Sequence, residues 1–111
     1  MKVEMEQIEG ISILRPSGKL DATTAAIFDE AVDSKEDELG DRVIVDMTGV
    51  QFVSSAGLRV LLRLGKKLMA SGKLALCNYS QPIEQILTLA GFERIMLLCQ
   101  DLDDARSKVN S

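Results

Sequence analysis

Apolar residues alternate with polar ones at the start of the chain: Val3 and Met5 before Glu9-Gly10, Ile11 and Ile13 after it. A period of two puts one side chain toward a core and the next toward water, so the pattern predicts a β-hairpin, closed at Ser17-Gly18. From Asp21 the period changes. Ala25, Phe28, Ala31 and Val32 recur at helical spacing, with Asp29, Glu30, Asp33 and Glu36 on the other face. This predicts one amphipathic helix, with Asp21, Thr23 and Thr24 offering N-cap oxygens and Gly40 closing the far end. Val43-Ile44-Val45 is a short β-branched run, as in a strand buried on both faces. Thr48-Gly49 marks the loop after it.

A second helix is predicted from Ser54-Ser55-Ala56-Gly57 to about Ser71-Gly72. On a wheel, Leu58, Leu61, Leu62, Gly65, Leu68 and Met69 face the sheet. Arg59, Arg63, Lys66 and Lys67 form a stripe on the opposite side, with Ala56 and Val60 at its edge. Residues 74–77 read as another short apolar strand. Gln81-Pro82 opens a third helix, whose apolar face is Ile83, Ile86, Leu87 and Leu89 and whose stop is Gly91. Residues 95–98 read as a last strand and residues 101–109 as a terminal helix, acids first and Arg106 and Lys108 last, as the helix dipole prefers. The order β-β-α-β-α-β-α-β-α implies an α/β fold, with helices packed on a mixed, mainly parallel sheet.

Composition narrows the function. The chain has 111 residues, enough for one domain over residues 1–111 and too few for two. With no Trp, one Tyr and three Phe, its core must be aliphatic. Net charge is −4, without the basic excess that nucleic-acid binding brings. There is no His, which excludes Ser-His-Asp and Cys-His chemistry. No phosphate-cradling or dinucleotide glycine motif occurs, and Lys66 and Lys67 lie several helical turns from the serines, so no enzyme and no cofactor is expected. Cys77 and Cys99 lack metal or redox spacing and are expected as buried free thiols. Asp101, Asp103 and Asp104 are explained by capping and the dipole more simply than by a metal. The N-terminus lacks the apolar core of a signal peptide, and no apolar run approaches the ~20 residues of a membrane span. A soluble cytoplasmic protein is the default.

The segment VDMTGVQFVSSAGLRVLL, beginning at Val45, is less generic. A buried strand leads through a short loop into paired serines at the head of an aliphatic helix. This resembles the STAS domain of anti-sigma-factor antagonists, where a strand and a hydrophobic pair precede Asp-Ser-(Ser/Thr)-Gly-Leu and an aliphatic helix. The likeness extends to Gly18-Lys19-Leu20-Asp21 and to Leu89-Ala90-Gly91-Phe92. It implies partner switching. In that family an anti-sigma factor with serine-kinase activity phosphorylates the serine two positions before the loop glycine and is released, and a serine phosphatase restores binding. Matched here, the acceptor is Ser55, with Ser54 the second choice, and Asp21 is the acidic residue near the serine loop. The implied partner face is Asp21, Ser54, Ser55, Ala56, Gly57, Leu58, Arg59, Val60 and Arg63. One departure stands out: Ser54 replaces the family's Asp and Ala56 follows the acceptor, which removes a charge beside the site.

Physical readings of the same residues stand beside this one. A serine at a helix N-cap contributes ~1 kcal/mol with no regulatory role. The two roles are compatible, because a phosphate there meets free amides and a favourable dipole. The basic stripe is either an ordinary solvated face or a surface that steers an acidic partner. The first helix's acids, Asp29, Glu30, Asp33, Glu36, Asp37 and Glu38, read as its wet side. The alternative function is a STAS scaffold that is never phosphorylated, a subunit of a membrane lipid-transport complex or of a signalling assembly.

Overall fold

The structure is a computed structural model that describes residues 1–69 and 72–111. The hairpin forms as the alternation predicts. Strands β1 (Lys2–Ile8) and β2 (Ile11–Leu20) pair antiparallel, from Lys2 opposite Ser17 to Ile8 opposite Ile11. The turn between them places Glu9 at φ 51° and Gly10 at φ 80°, the two left-handed positions that suit the twist of a tight hairpin.

Ser17-Gly18 does not end β2, contrary to the sequence reading. The strand changes partner there instead. Its first half runs parallel to β3 (Arg42–Asp46), with Ser12 to Leu14 against Val43 to Val45. Its second half, from Ser17 to Leu20, runs parallel to β4 (Gly49–Val53). The register shifts at Gly18/Lys19: Gly18 faces Val50 and Lys19 faces Phe52, which leaves Gln51 as the extra residue of a bulge. So β3 and β4 follow one another in a single column beside β2, where the sequence suggested only a loop after β3.

Completing the sheet, β5 (Lys73–Cys77) pairs parallel with β3, and β6 (Leu97–Leu98) pairs parallel with β5. The order is β1-β2-β3-β5-β6, with β4 on β2, a mixed and mainly parallel sheet as expected. Val43, Ile44 and Val45 are all fully buried. Val43 and Val45 join a large core with Leu14, Leu20, Phe28, Leu61 and Leu87. Ile44 joins a smaller one with Ile11, Ile13, Ala75 and Val109. Cys77 and Cys99 lie in that second core as free thiols, as expected. Burial pushes the Cys77 thiol up to about 12 and raises that of Cys99, which keeps both protonated.

The helices depart from expectation in detail. The first is two pieces, α1 (Ala25–Ser34) and α2 (Glu36–Leu39). The Lys35 amide donates to the Val32 carbonyl, a tighter turn than α, and Glu36, Asp37 and Glu38 then form an acidic start favoured by the dipole. The break brings the Leu39 carbonyl to the buried Ser12 hydroxyl, which donates to it at 2.9 Å. Helix α3 covers Ser55–Met69; the expected end at Ser71 and the side chain of Met69 lie outside the described residues. In α4 (Gln81–Leu89) only Ile83 and Leu87 are buried. Ile86 is exposed and Leu89 is 89% exposed, so the predicted apolar face is half as wide. The last strand shortens to two residues behind a 3-10 turn at Phe92–Arg94. Helix α5 (Leu102–Val109) is capped reciprocally: the Asp104 amide donates to the Asp101 carboxylate and the Gln100 amide to Asp104.

Candidate functional site

The site is made where β2 and β4 end side by side. Leu20 and Val53 are paired there, and α1 and α3 start from the two strands just beyond. The Ser54 amide donates to the Leu20 carbonyl at 2.9 Å, continuing the ladder one residue past β4. Ser54 is then the helix cap. Its carbonyl accepts the first helical bond, from the Leu58 amide at 2.9 Å, and its Oγ accepts from the Gly57 amide at 3.3 Å.

Ser55 is the first residue of α3. It is exposed, and its hydroxyl has no hydrogen-bond partner among the described residues. The sequence left capping open to either serine. The structure separates them: Ser54 caps, and Ser55 presents a free hydroxyl.

Gly57 follows from a close approach. A Cβ there would lie 2.5 Å from the Leu20 carbonyl oxygen and 2.8 Å from its Cγ. Only a glycine lets the first turn of α3 press on the end of β2. The contact fixes the Gly18-Lys19-Leu20-Asp21 element against the serine loop, so Asp21 and the two serines are brought together as the resemblance implies. Asp21 Oδ1 accepts from the Thr23 hydroxyl at 2.7 Å and from the Thr23 and Thr24 amides at 3.0 and 3.2 Å. Those donors, the Thr23 hydroxyl foremost, hold the carboxyl below its ordinary range and keep it ionised.

Along α3 the buried side is rotated from the wheel. Leu61, Leu64 and Leu68 are buried with Gly57 and Gly65, whereas Leu58 and Leu62 are only half-buried. Leu64, absent from the predicted face, is buried in the same core as Val32 of α1, with Val60 packed against that core. The helix is wedged between the sheet and α1, and a wheel drawn against the sheet alone misses that second wall.

All four bases of the stripe are exposed, as expected, but they are not equivalent. Arg63 pairs with Asp29 and lies 3.7 Å from Asp33, and Lys67 pairs with Glu36 at 2.5 Å. Three of the acids read as the wet side of the first helix, Asp29, Asp33 and Glu36, are therefore counter-ions to α3. Arg59 and Lys66 have no ion-pair partner among the described residues. Of the expected partner face, Ser55 and Arg59 are exposed, Asp21, Ser54, Ala56, Leu58 and Val60 are half-buried, Gly57 is buried against Leu20, and Arg63 sits one turn beyond Arg59, engaged with α1.

Two functional candidates escaped the sequence reading. Asp46, at the end of β3, is 9% exposed. It accepts from the Thr48 hydroxyl at 2.6 Å and from the Thr48 and Asn78 amides, both at 3.1 Å, and faces Arg15 Nε at 3.5 Å. Burial alone would raise its carboxyl, but the donors, led by the Thr48 hydroxyl, outweigh it and hold the group below the ordinary range. Asp46 thereby fixes the turn into β4 and so places the serine loop. The signal was present in Asp46-Met47-Thr48, whose spacing suits an Asx turn. The other is Phe52, 49% exposed and two residues before Ser54. The hydrophobic pair of the motif has its aromatic member on the surface and its Val53 in the core.

The arrangement offers no nucleophile-base pair, and among the described residues no group of three His, Cys, Asp or Glu side chains could hold a metal. It offers an accessible hydroxyl, an ionised carboxylate and an apolar surface group on a rigid frame. No helix among the described residues is long and apolar enough to cross a membrane.

Comparison with known proteins agrees over most of the chain. The family model of the STAS domain matches residues 2–105. An anti-sigma F factor antagonist of Paenibacillus polymyxa is 31% identical over 101 residues, 86% of this chain and 84% of that protein. The crystal structure of an anti-sigma factor antagonist from Mycobacterium paratuberculosis superposes with a TM-score of 0.90 at 24% identity, covering 99% of this chain and 94% of that one. The anti-sigma factor antagonist SpoIIAA superposes in its unphosphorylated form with a TM-score of 0.73 at 16% identity, covering 99% of each chain. The phosphorylated form of SpoIIAA, from Bacillus, gives 0.71 at 18% identity, covering 97% of this chain and 99% of that one.

Proposed function

The chain belongs to the STAS domain family, and on that premise we propose that it is an anti-sigma-factor antagonist that binds a serine-kinase anti-sigma factor and is released when Ser55 is phosphorylated. STAS anti-sigma-factor antagonists are regulatory binding proteins, not enzymes. The observation that carries the reading is the division of labour between the two serines: Ser54 is spent on the cap, and Ser55 is exposed with a free hydroxyl. Asp21, Phe52, Ser54, Ser55, Ala56, Leu58, Arg59 and Val60 form the docking face, with Gly57 buried beneath it. A serine phosphatase resets the switch.

The switch acts by charge. A phosphate adds about −2 at the head of α3, where the dipole tolerates it, so the helix stays folded and only the surface changes. A partner matched to the neutral serine then meets a dianion. With Ser54 as the cap, Ser55→Ala keeps both fold and partner binding and cannot be phosphorylated. Ser55→Asp folds as well and binds about tenfold more weakly, or worse, a loss of ~1.4 kcal/mol.

Affinity capture from the native cell, with and without phosphatase treatment, tests the reading when combined with mass spectrometry of the captured chain. Phosphate on Ser55 and an anti-sigma factor held only by the unphosphorylated form are the expected results. Phosphate on Ser54, together with wild-type binding by Ser55→Asp, would move the switch to that serine, and phosphate nowhere would leave the unphosphorylated STAS scaffold as the function.

A further inference from the structure

Resting on Ser55 as the phosphoacceptor, we propose that Arg59 is the built-in counter-ion of that phosphate, so that modification adds an anion and withdraws a cation from the docking face in one step. Both residues are exposed on α3 and stand four apart, a spacing that places side chains one above the other on the same face. The guanidinium is the group suited to a phosphate, offering paired donors to two oxygens.

The other bases are committed or out of reach. Arg63 is held by Asp29 and Asp33, and Lys67 by Glu36. Lys66 lies three turns beyond Ser55, about 16 Å along the axis. Lys19 neighbours Phe52 across the strand pair, but Leu20 beside it points into the core under α3, so the strand's alternation directs Lys19 away from that helix. Arg59 alone combines reach with the lack of an ion-pair partner among the described residues.

The environment also demands a counter-ion. Asp21, kept ionised by Thr23 and Thr24, stands on the element that Gly57 clamps against the serine loop. A dianion placed there faces a fixed negative charge. In the unphosphorylated chain Arg59 is free to meet an acidic group of a partner. In the phosphorylated chain it is occupied.

The test installs phosphoserine at position 55 during synthesis of the full chain, so it does not depend on whether any kinase does so in the cell. The second ionisation of the phosphate is then followed by 31P NMR titration around its ordinary midpoint near pH 6. Relative to Arg59→Gln, the wild-type background is expected to titrate about 0.3 pH unit lower, the value of an exposed pair at this spacing. Arg59→Lys keeps part of the displacement, Lys19→Gln leaves the midpoint in place, and 1 M salt removes most of the difference. Equal midpoints for the wild-type and Arg59→Gln backgrounds, or an equal displacement on Lys19→Gln, would overturn the assignment. A chain unphosphorylated in cells would instead remove the Ser55 reading and leave this pairing measurable.

Discussion

Two polar turns follow one another beside β2, one leaving β3 and the other leaving β4, and they are built in opposite ways. In the first, Asp46 points inward and gathers the Thr48 amide and hydroxyl, the Asn78 amide and Arg15. In the second, Ser54 makes one capping bond and Ser55 points outward with none. The inward turn spends its polar groups on holding the chain. The outward turn keeps one in reserve. Rigidity in the first is what allows the second to present a hydroxyl at a fixed place without stabilising anything through it.

This contrast can be broken by measurement. The largest effect is expected at Asp46→Ala, which strips the donors of Thr48, Asn78 and Arg15 of their acceptor in a buried place and costs about 3 kcal/mol. Urea unfolding reads it directly. A loss no greater than that of Ser55→Ala would erase the distinction between the turns. Gly57→Ala comes next, at about 2 kcal/mol, since its methyl would strike the Leu20 carbonyl and the helix must shift. It should also disturb the spacing of Asp21 from the serines, seen as weakened partner binding beyond the stability loss.

The serines sharpen the contrast at smaller scale. Ser54→Ala should lose ~1 kcal/mol as the cap goes, while Ser55→Ala stays within the small scatter of surface changes, about 0.5 kcal/mol. Thermal melts of the two variants side by side check this, and the reverse order would reassign the cap. The smallest effect is in pH. Because the folded carboxyl of Asp46 is held below its ordinary value, its stabilisation is fully present above the unfolded carboxylate range and is lost as pH falls through the folded value. The advantage of wild type over Asp46→Asn should therefore be constant near neutrality and shrink in acid.

Much of this molecule can be read from residue order, and the misses have physical causes. The Val43-Ile44-Val45 run announced its burial because both faces of the sheet are covered. The β4 strand announced nothing: the bulge at Gln51 spaces its buried valines, Val50 and Val53, three apart and cancels the alternation that marks a strand. Leu64 was missed because α1 forms a second wall, a tertiary fact no single-helix wheel contains. Leu89 was overcounted for the opposite reason, since none of the described residues covers the end of α4. At the site, the motif pointed to Ser55, Gly57 and Asp21, and the contact of Gly57 and Ser54 with Leu20 is what the fold adds. Which serine caps was not legible, because both positions suit the role until the chain's entry angle is known. The pairing of Arg63 with α1 was equally hidden, since it joins residues from two helices.

The Leu20–Gly57 contact has one more consequence, for how such a domain can diversify. The spacing between Asp21 and the serines is set by main chain pressed on main chain, so it does not depend on the side chains displayed around it. Positions 52, 55 and 59 can be exchanged as a set while the frame that presents them stays unchanged. Duplicated copies of this chain could therefore drift to different partners by trading a few surface groups, each pair insulated from the others and all operating on one conserved geometry.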